Sequence, residues 1–153
     1  MWRAWLALHE TMFDRYDYNL LLGPDQDPGP QYSQNIRDMW IRLRKARVDV
    51  VGWNGTANLS FPNSPTSPSQ IYAVAPGARA TIIEVKRRLG PSNIGQITSY
   101  YHLWVTEYPA AVAPALRMVA TQVSPNIAPA AAANGISIDM VTADFSVLRP
   151  LKS

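Results

Sequence analysis

The chain of 153 residues has the length of one ordinary domain, with a net charge of +3, 47% hydrophobic residues and 16% charged residues. This composition excludes a disordered or collagen-like chain, and the lack of cysteine excludes disulfides, thiolate zinc sites and cysteine nucleophiles. No apolar run approaches the roughly 20 residues that cross a bilayer. We therefore expect a single soluble, intracellular domain over residues 1–153, with no membrane partner.

The N-terminal third of the chain predicts one helix and one segment of ambiguous structure. Residues 2–15 place their apolar side chains near helical spacing, which predicts a first helix. Residues 23–30, with the sequence GPDQDPGP, have the composition of a loop. Beyond this loop, residues 35–43 could form a helix, or residues 40–44 could alternate as a strand.

Two strands are predicted in the middle of the chain, over residues 46–53 and 80–88. The first, ARVDVVGW, has the β-branched density of a strand, and Asn54-Gly55 after it marks a tight turn. A loop rich in proline and serine follows, and residues 71–75 are predicted as a short strand. We expect the two main strands to pair in a hairpin, with residues 57–75 as an excursion between them.

The C-terminal half alternates between helical and extended patterns. A helical stripe covers residues 94–108, a buried strand is predicted over 116–123, a short helix follows, and a last strand covers 136–142. A run of strand, helix, strand, helix and strand is typical of an α/β fold whose strands are partly parallel. The core of the domain is therefore expected over about residues 46–142.

Glu84 and Lys86 are the most informative pair in the sequence. They lie two residues apart in the predicted strand ATIIEVKRR, so both side chains point to the same face. Ile83 and Val85 point to the other face, where they can be buried. A carboxylate and an ammonium are thus held side by side on a rigid element, as in a site that binds a metal and activates water near a phosphate.

Asp49 is the second candidate site residue, because it interrupts a run of valines in the strand 46–53. A charged side chain in such a run is costly to bury unless it is paired or binds a metal. The predicted hairpin brings Asp49 beside the strand of Glu84 and Lys86. Two carboxylates on neighbouring strands suit a hard divalent ion such as Mg²⁺ or Mn²⁺.

Basic residues cluster on both sides of these acidic residues. Such clusters are expected of a protein that binds a phosphate backbone, although on charge alone they could equally form a solvated basic face. The candidate nucleic-acid-binding residues are Arg42, Arg44, Lys45, Arg47, Arg87 and Arg88.

The pattern of Asp49, then Glu84-Val85-Lys86, then Gln96 at the start of an amphipathic helix resembles the PD-(D/E)XK nuclease superfamily. The resemblance runs from roughly residue 47 to residue 141. Val48 stands where the proline of the family's name would be. The resemblance implies a restriction-endonuclease-like fold, a mixed β-sheet flanked by helices, with an α-β-β-β-α-β core and an added C-terminal helix and strand.

The resemblance also implies roles for individual residues. Asp49, Glu84 and the backbone carbonyl of Val85 would bind Mg²⁺ or Mn²⁺, and Lys86 would assist the attack of water. Gln96 would lie close to the site, as the glutamine of many family members does. Glu10 on the predicted first helix is a further candidate ligand. The implied activity is metal-dependent hydrolysis of phosphodiester bonds in DNA.

Other interpretations remain open. The chain could be a catalytically silent structural protein of a phage particle, in the head, neck or packaging machinery, or a nucleic-acid-binding protein. Its partners would then include particle proteins or further copies of itself, and it would be found in the host cytoplasm or in the virion. Glu84 and Lys86 could form a surface ion pair, and Asp49 could cap a bulge or pair with Arg47. Gln96 could equally be an ordinary polar residue of the helix. The aromatic residues of the helix 94–108 could stack on nucleic-acid bases, but most of them are expected in the core.

Overall fold

A computed structural model describes residues 5–7, 9–22, 29–38, 46–61 and 65–142 of the chain. Five strands form one mixed sheet in the order β1-β2-β3-β4-β5. β1–β2 and β2–β3 are antiparallel, whereas β3–β4 and β4–β5 are parallel. The strands are β1 (Arg15–Leu22), β2 (Ala46–Asn54), β3 (Arg79–Leu89), β4 (Ala115–Val123) and β5 (Ile136–Met140). The predicted hairpin between the strands of Asp49 and Glu84 is thereby confirmed.

Three helices have defined bounds: α1 (Pro68–Val74), α2 (Pro91–Glu107) and α3 (Ile127–Ala133). Parallel neighbours need a crossover connection, and α2 and α3 supply the crossovers from β3 to β4 and from β4 to β5. All three helices contribute to one core. The coarse prediction of an α/β domain with a mixed sheet is confirmed. No helix in the described ranges has the length and apolarity to cross a membrane.

The sheet separates two hydrophobic cores. The main core lies between the sheet and the helices, and it includes Ile82 on β3 and Trp104 on α2, both fully buried. The second core lies on the opposite face, where Trp5 and Phe13 from the N-terminal segment cover Ile83 on β3. Burial on both faces explains the continuous apolar character of the central strands.

A buried ionic cluster joins the second face of the sheet to the N-terminal segment. Asp139 on β5 is only 4% exposed. It accepts hydrogen bonds from Arg117 Nη1 at 2.7 and 2.9 Å and from Trp5 Nε1 at 2.8 Å. The carboxylate is therefore paired as a buried charge must be, and it fixes Trp5 over the sheet.

The predicted first helix over residues 2–15 is wrong in its C-terminal part. Residues 9–12 form turns, and the chain enters β1 at Arg15. The apolar side chains that gave helical spacing are used differently. Phe13 packs against Gly52 on β2, where the missing side chain leaves room for the ring. β1 itself, an edge strand, was not predicted from the sequence.

The predicted strand over residues 71–75 is also wrong, because residues 71–74 belong to α1 and Ala75 is its C-cap. The helix starts at Pro68, a residue favoured in the first helical turn. The side chain of Gln70 accepts a hydrogen bond from the backbone N–H of Ser67 at 3.1 Å, as in a capping box. Ile71 is then fully buried in the main core. Capping and tertiary packing outweigh the β-propensity of the sequence IYAVA.

The pairing of β1 with β2 is interrupted at one step. Cα partners run from Arg15↔Trp53 to Tyr18↔Val50 and resume at Leu20↔Val48, which leaves out Asn19 and Asp49. Asn19 has a φ of 53°, in the left-handed region that few residues other than glycine adopt within a strand. The interruption therefore lies beside a candidate site residue.

Candidate functional site

The candidate site lies where β2 and β3 separate. The paired residues of the two strands end at Val50↔Ile83, and Asp49 and Glu84 are the next residue on each strand. β3 continues to Leu89 alongside β4, while β2 continues alongside β1. The end of a strand pairing inside a sheet opens a gap into which side chains can project.

Lys86 brings the two acidic residues together. Its Nζ lies 2.6 Å from Glu84 Oε1 and 3.3 Å from Asp49 Oδ2. The same Asp49 oxygen accepts a hydrogen bond from the backbone N–H of Val85 at 3.1 Å. The prediction that Glu84 and Lys86 share a face, with Asp49 on the adjacent strand, matches this geometry. The Lys86 ammonium is thus the counter-ion of both carboxylates.

Glu84 is a fully buried carboxylate with an unused oxygen. The residue has 0% exposure, and its Oε2 has no hydrogen-bond partner among the described residues. Burial raises the pKa of the Glu84 carboxyl, the nearby Lys86 acts to lower it, and Asp49 acts to raise it further. A buried carboxylate oxygen without a partner is unfavourable by several kcal/mol on an order-of-magnitude basis, so this oxygen is a candidate site for a proton or a cation.

Lys86 is charged in this environment. Its burial acts to lower the pKa of the ammonium, but the contacts with Glu84 and Asp49 outweigh burial and raise that pKa above its usual value. The side chains of Lys86 and Asp49 are 33% and 36% exposed. The site is therefore closed at Glu84 and open to solvent at Asp49 and Lys86, where a phosphate group could approach.

Helix α2 covers the site from the main-core side with Gln96 and Tyr100. Gln96 Nε2 donates a hydrogen bond to the hydroxyl of Tyr100 at 2.6 Å, and Tyr100 is only 7% exposed. Burial raises the pKa of the Tyr100 hydroxyl, the Gln96 bond acts to lower it, and the negative charges of Glu84 and Asp49 act to raise it further. The hydroxyl therefore stays protonated, and the charges of both carboxylates affect its pKa.

Tyr100 was expected in the core, and it is buried there, but the sequence analysis missed its place beside the site. The signal was present in the spacing. Gln96 and Tyr100 lie four residues apart on the same helix, so their side chains are neighbours on one face. Trp104, one further turn along, is fully buried, and its indole N–H donates to Tyr72. The expectation of core packing is confirmed for Trp104.

Asp49 and Glu84 are the residues that could hold a hard divalent cation. In the part of the chain that the structure describes, no group of three or more His, Cys, Asp or Glu side chains is placed to hold a metal. The unpartnered oxygen of Glu84 and the solvent-facing Asp49 nevertheless fit an ion such as Mg²⁺, which keeps several waters and takes few protein ligands. Glu10, the further candidate ligand, is exposed in a turn. This turn belongs to the segment that covers the second core, and that core lies on the face of the sheet opposite α2.

Three of the candidate basic residues are exposed near the site. Arg47 lies two residues before Asp49 on β2, and Arg87 and Arg88 directly follow Lys86 on β3. The predicted roles of Arg42, Arg44 and Lys45 concern residues outside the described ranges.

Searches for similar proteins give no family assignment: no family model, curated protein or solved structure matches the chain.

Proposed function

We propose that the chain is a Mg²⁺-dependent nuclease that hydrolyses phosphodiester bonds in DNA, with a restriction-endonuclease-like fold. The single observation that carries the proposal is the fully buried Glu84, whose Oε2 has no hydrogen-bond partner in the described part of the chain, next to Asp49 and Lys86. A bound Mg²⁺ would supply Lewis-acid activation of the phosphate and of water. The order of the elements supports this fold: three antiparallel strands, β1 to β3, are followed by α2 and by β4, which is parallel to β3. α3 and β5 are additions to this core.

Each residue has a role that follows from its position. Asp49 and Glu84 would hold the cation, together with the backbone carbonyl of Val85. Lys86, charged in the metal-free protein, orients water and stabilises the negative charge that develops on the phosphate. Gln96 helps to position groups at the α2 side of the site through its bond to Tyr100.

The exposed basic residues near the site complete the proposed function. Arg47, Arg87 and Arg88 attract the DNA backbone through charge, which predicts an affinity that falls as the salt concentration rises.

The test is a cleavage assay with supercoiled plasmid, linear duplex DNA and RNA, in Mg²⁺ or Mn²⁺ and in chelator. We expect metal-dependent cleavage by the wild type and by Asp38→Asn, which alters an exposed carboxylate outside the site. Asp49→Asn and Lys86→Ala should each lose at least about a hundredfold in rate, as expected when a group acting on the transition state is removed. Equal cleavage by the wild type and both site variants would assign the activity to a contaminant or to another site.

A second candidate function is a catalytically silent structural protein that retains the nuclease-like fold, for example in a phage particle. One observation favours it: Lys86 already contacts both carboxylates, so the site has an internal counter-ion. This candidate predicts no heat of Mg²⁺ or Mn²⁺ binding in calorimetry, and sedimentation as a ring or with a particle protein. A nuclease predicts metal binding with catalysis, and a nucleic-acid-binding protein predicts salt-dependent DNA affinity without cleavage.

A further inference from the structure

In both β1 and β2, the face of the sheet to which alternate side chains point changes part-way along the strand. The change occurs at the same position in the two paired strands. Along β1, Tyr16 packs against the second core, whereas Leu20 and Leu22 lie in the main core. Residues an even number of positions apart in a regular strand share a face. The backbone of β1 must therefore turn over between Tyr16 and Leu20, and Asn19, with its φ of 53°, lies in that interval.

The same exchange occurs in β2 opposite Asn19. Val50 belongs to the second core, whereas Val48, two residues away, belongs to the main core. Asp49 lies between them and is left out of the pairing with β1, although partners on both sides keep the same register. No residue is inserted, so the exchange is a local rotation of the paired backbones and not a shift of one strand.

The rotation sets the direction of the Asp49 side chain. In a regular strand, Asp49 would point straight above or below the sheet. Here its Oδ2 instead lies 3.1 Å from the backbone nitrogen of Val85 and 3.3 Å from Lys86 Nζ, both on the adjacent strand. A carboxylate that accepts from a neighbouring backbone N–H lies near the plane of the sheet, in the gap where β2 and β3 separate.

We infer that Asn19 is a positioning residue for Asp49. Its left-handed backbone turns β1 over, β2 turns with it, and the rotation directs the Asp49 carboxylate into the gap beside Glu84 and Lys86. Asparagine is one of the few residues other than glycine that adopt this conformation readily. The inference concerns the geometry of the site, and its consequence for metal binding rests on the proposed function.

Asn58 supplies a matched control, because it has a φ of 63° in the exposed turn after β2. Valine is strongly disfavoured in this region of backbone space, so Asn19→Val and Asn58→Val should lower the melting temperature similarly. Asn19→Gly should restore the wild-type properties, since glycine accepts the same conformation. Should Asn19→Val fail to fold, Asn19→Ala introduces a milder strain at the same position.

The first measurement needs no metal. Amide hydrogen exchange of Val85, followed by NMR, reports its bond to Asp49. We expect Asn19→Val to lose protection at Val85 as Asp49→Ala does, and Asn58→Val and Asn19→Gly to keep it. Unchanged protection of Val85 in both Asn19→Val and Asn19→Ala would overturn the inference.

The second measurement is calorimetric titration with Mn²⁺. We expect Asn19→Val to bind about tenfold more weakly than the wild type, the loss typical of residues that orient a metal ligand, and Asn58→Val to bind as the wild type does. Wild-type affinity in Asn19→Val would overturn the inference. If the wild-type protein binds no Mn²⁺, the proposed function fails, and the exchange of the Val85 amide still decides the role of Asn19.

Discussion

Lys86→Met tests whether the lysine serves as the counter-ion of a buried carboxylate. Methionine keeps most of the length and apolar character of the side chain while it removes the charge. Glu84, with no exposed surface, then lacks the ammonium that lies 2.6 Å away. Removing one partner of a fully buried ion pair costs about 3–5 kcal/mol. Since Lys86 and Asp49 are about one third exposed, solvent screening reduces this to about 2 kcal/mol.

The loss of stability in Lys86→Met should depend on pH, in a direction that follows from the pKa of Glu84. Burial raises the pKa of the Glu84 carboxyl above its ordinary value of 4.5, so the folded state holds that proton more tightly than the unfolded state. The stabilisation that comes from this proton is fully present below pH 4.5. It is lost as the pH rises through the raised pKa of Glu84. Since Lys86 acts to lower this pKa, Lys86→Met raises it further. The difference in stability between variant and wild type should therefore be small in acid and grow toward neutral pH.

Urea denaturation at about pH 4 and about pH 7 measures the difference. We expect Lys86→Met to lose about 2 kcal/mol at the higher pH, which corresponds to a melting temperature lower by about 4–8 °C for a chain of this length. Arg79→Met removes an exposed charge at the start of the same strand and should change little. The reasoning is refuted if Lys86→Met is as stable as the wild type at neutral pH, or if its deficit is larger in acid.

Two further predictions concern the second face of the sheet. Asp139→Ala removes a buried carboxylate and leaves the guanidinium of Arg117 without its partner, so it should cost about 3 kcal/mol in urea denaturation; a loss below about 1 kcal/mol would show that water replaces the carboxylate. Gly52→Ala places a methyl group 2.6 Å from the ring of Phe13 and should cost about 1–3 kcal/mol through overpacking, whereas Gly77→Ala, with nothing within 4 Å, should be nearly neutral by the same measurement.

The parts of the fold that the sequence predicts well are those in which local pattern and tertiary environment agree. The strands of Asp49 and Glu84 carry long β-branched runs because they are buried on both faces, and the helix containing Trp104 has a clear apolar stripe. β1 escaped prediction because it is an edge strand whose alternation breaks at Asn19. A strand that changes faces half-way has no single period for the sequence to reveal.

The candidate site was predictable to a similar extent. The shared face of Glu84 and Lys86 follows from strand geometry, and the proximity of Asp49 follows from the hairpin. The bond between Asp49 and the Val85 amide could not be predicted, because it depends on where two strands stop pairing. The position of Tyr100 was equally hidden, since an aromatic residue on a helical stripe has the same pattern whether or not it borders a site.

The closed end of the β2–β3 hairpin has a practical consequence for handling the protein. Pairing ends at Asn54↔Arg79 on that side, five residues along β2 from Asp49, which amounts to about 17 Å of strand. Residues 57–60 after it are exposed. A fluorescent label or a short peptide tag inserted there would sit at the opposite end of the hairpin from the acidic pair. The chain thus offers a point of attachment for binding and cleavage experiments that leaves the approach to Lys86 clear.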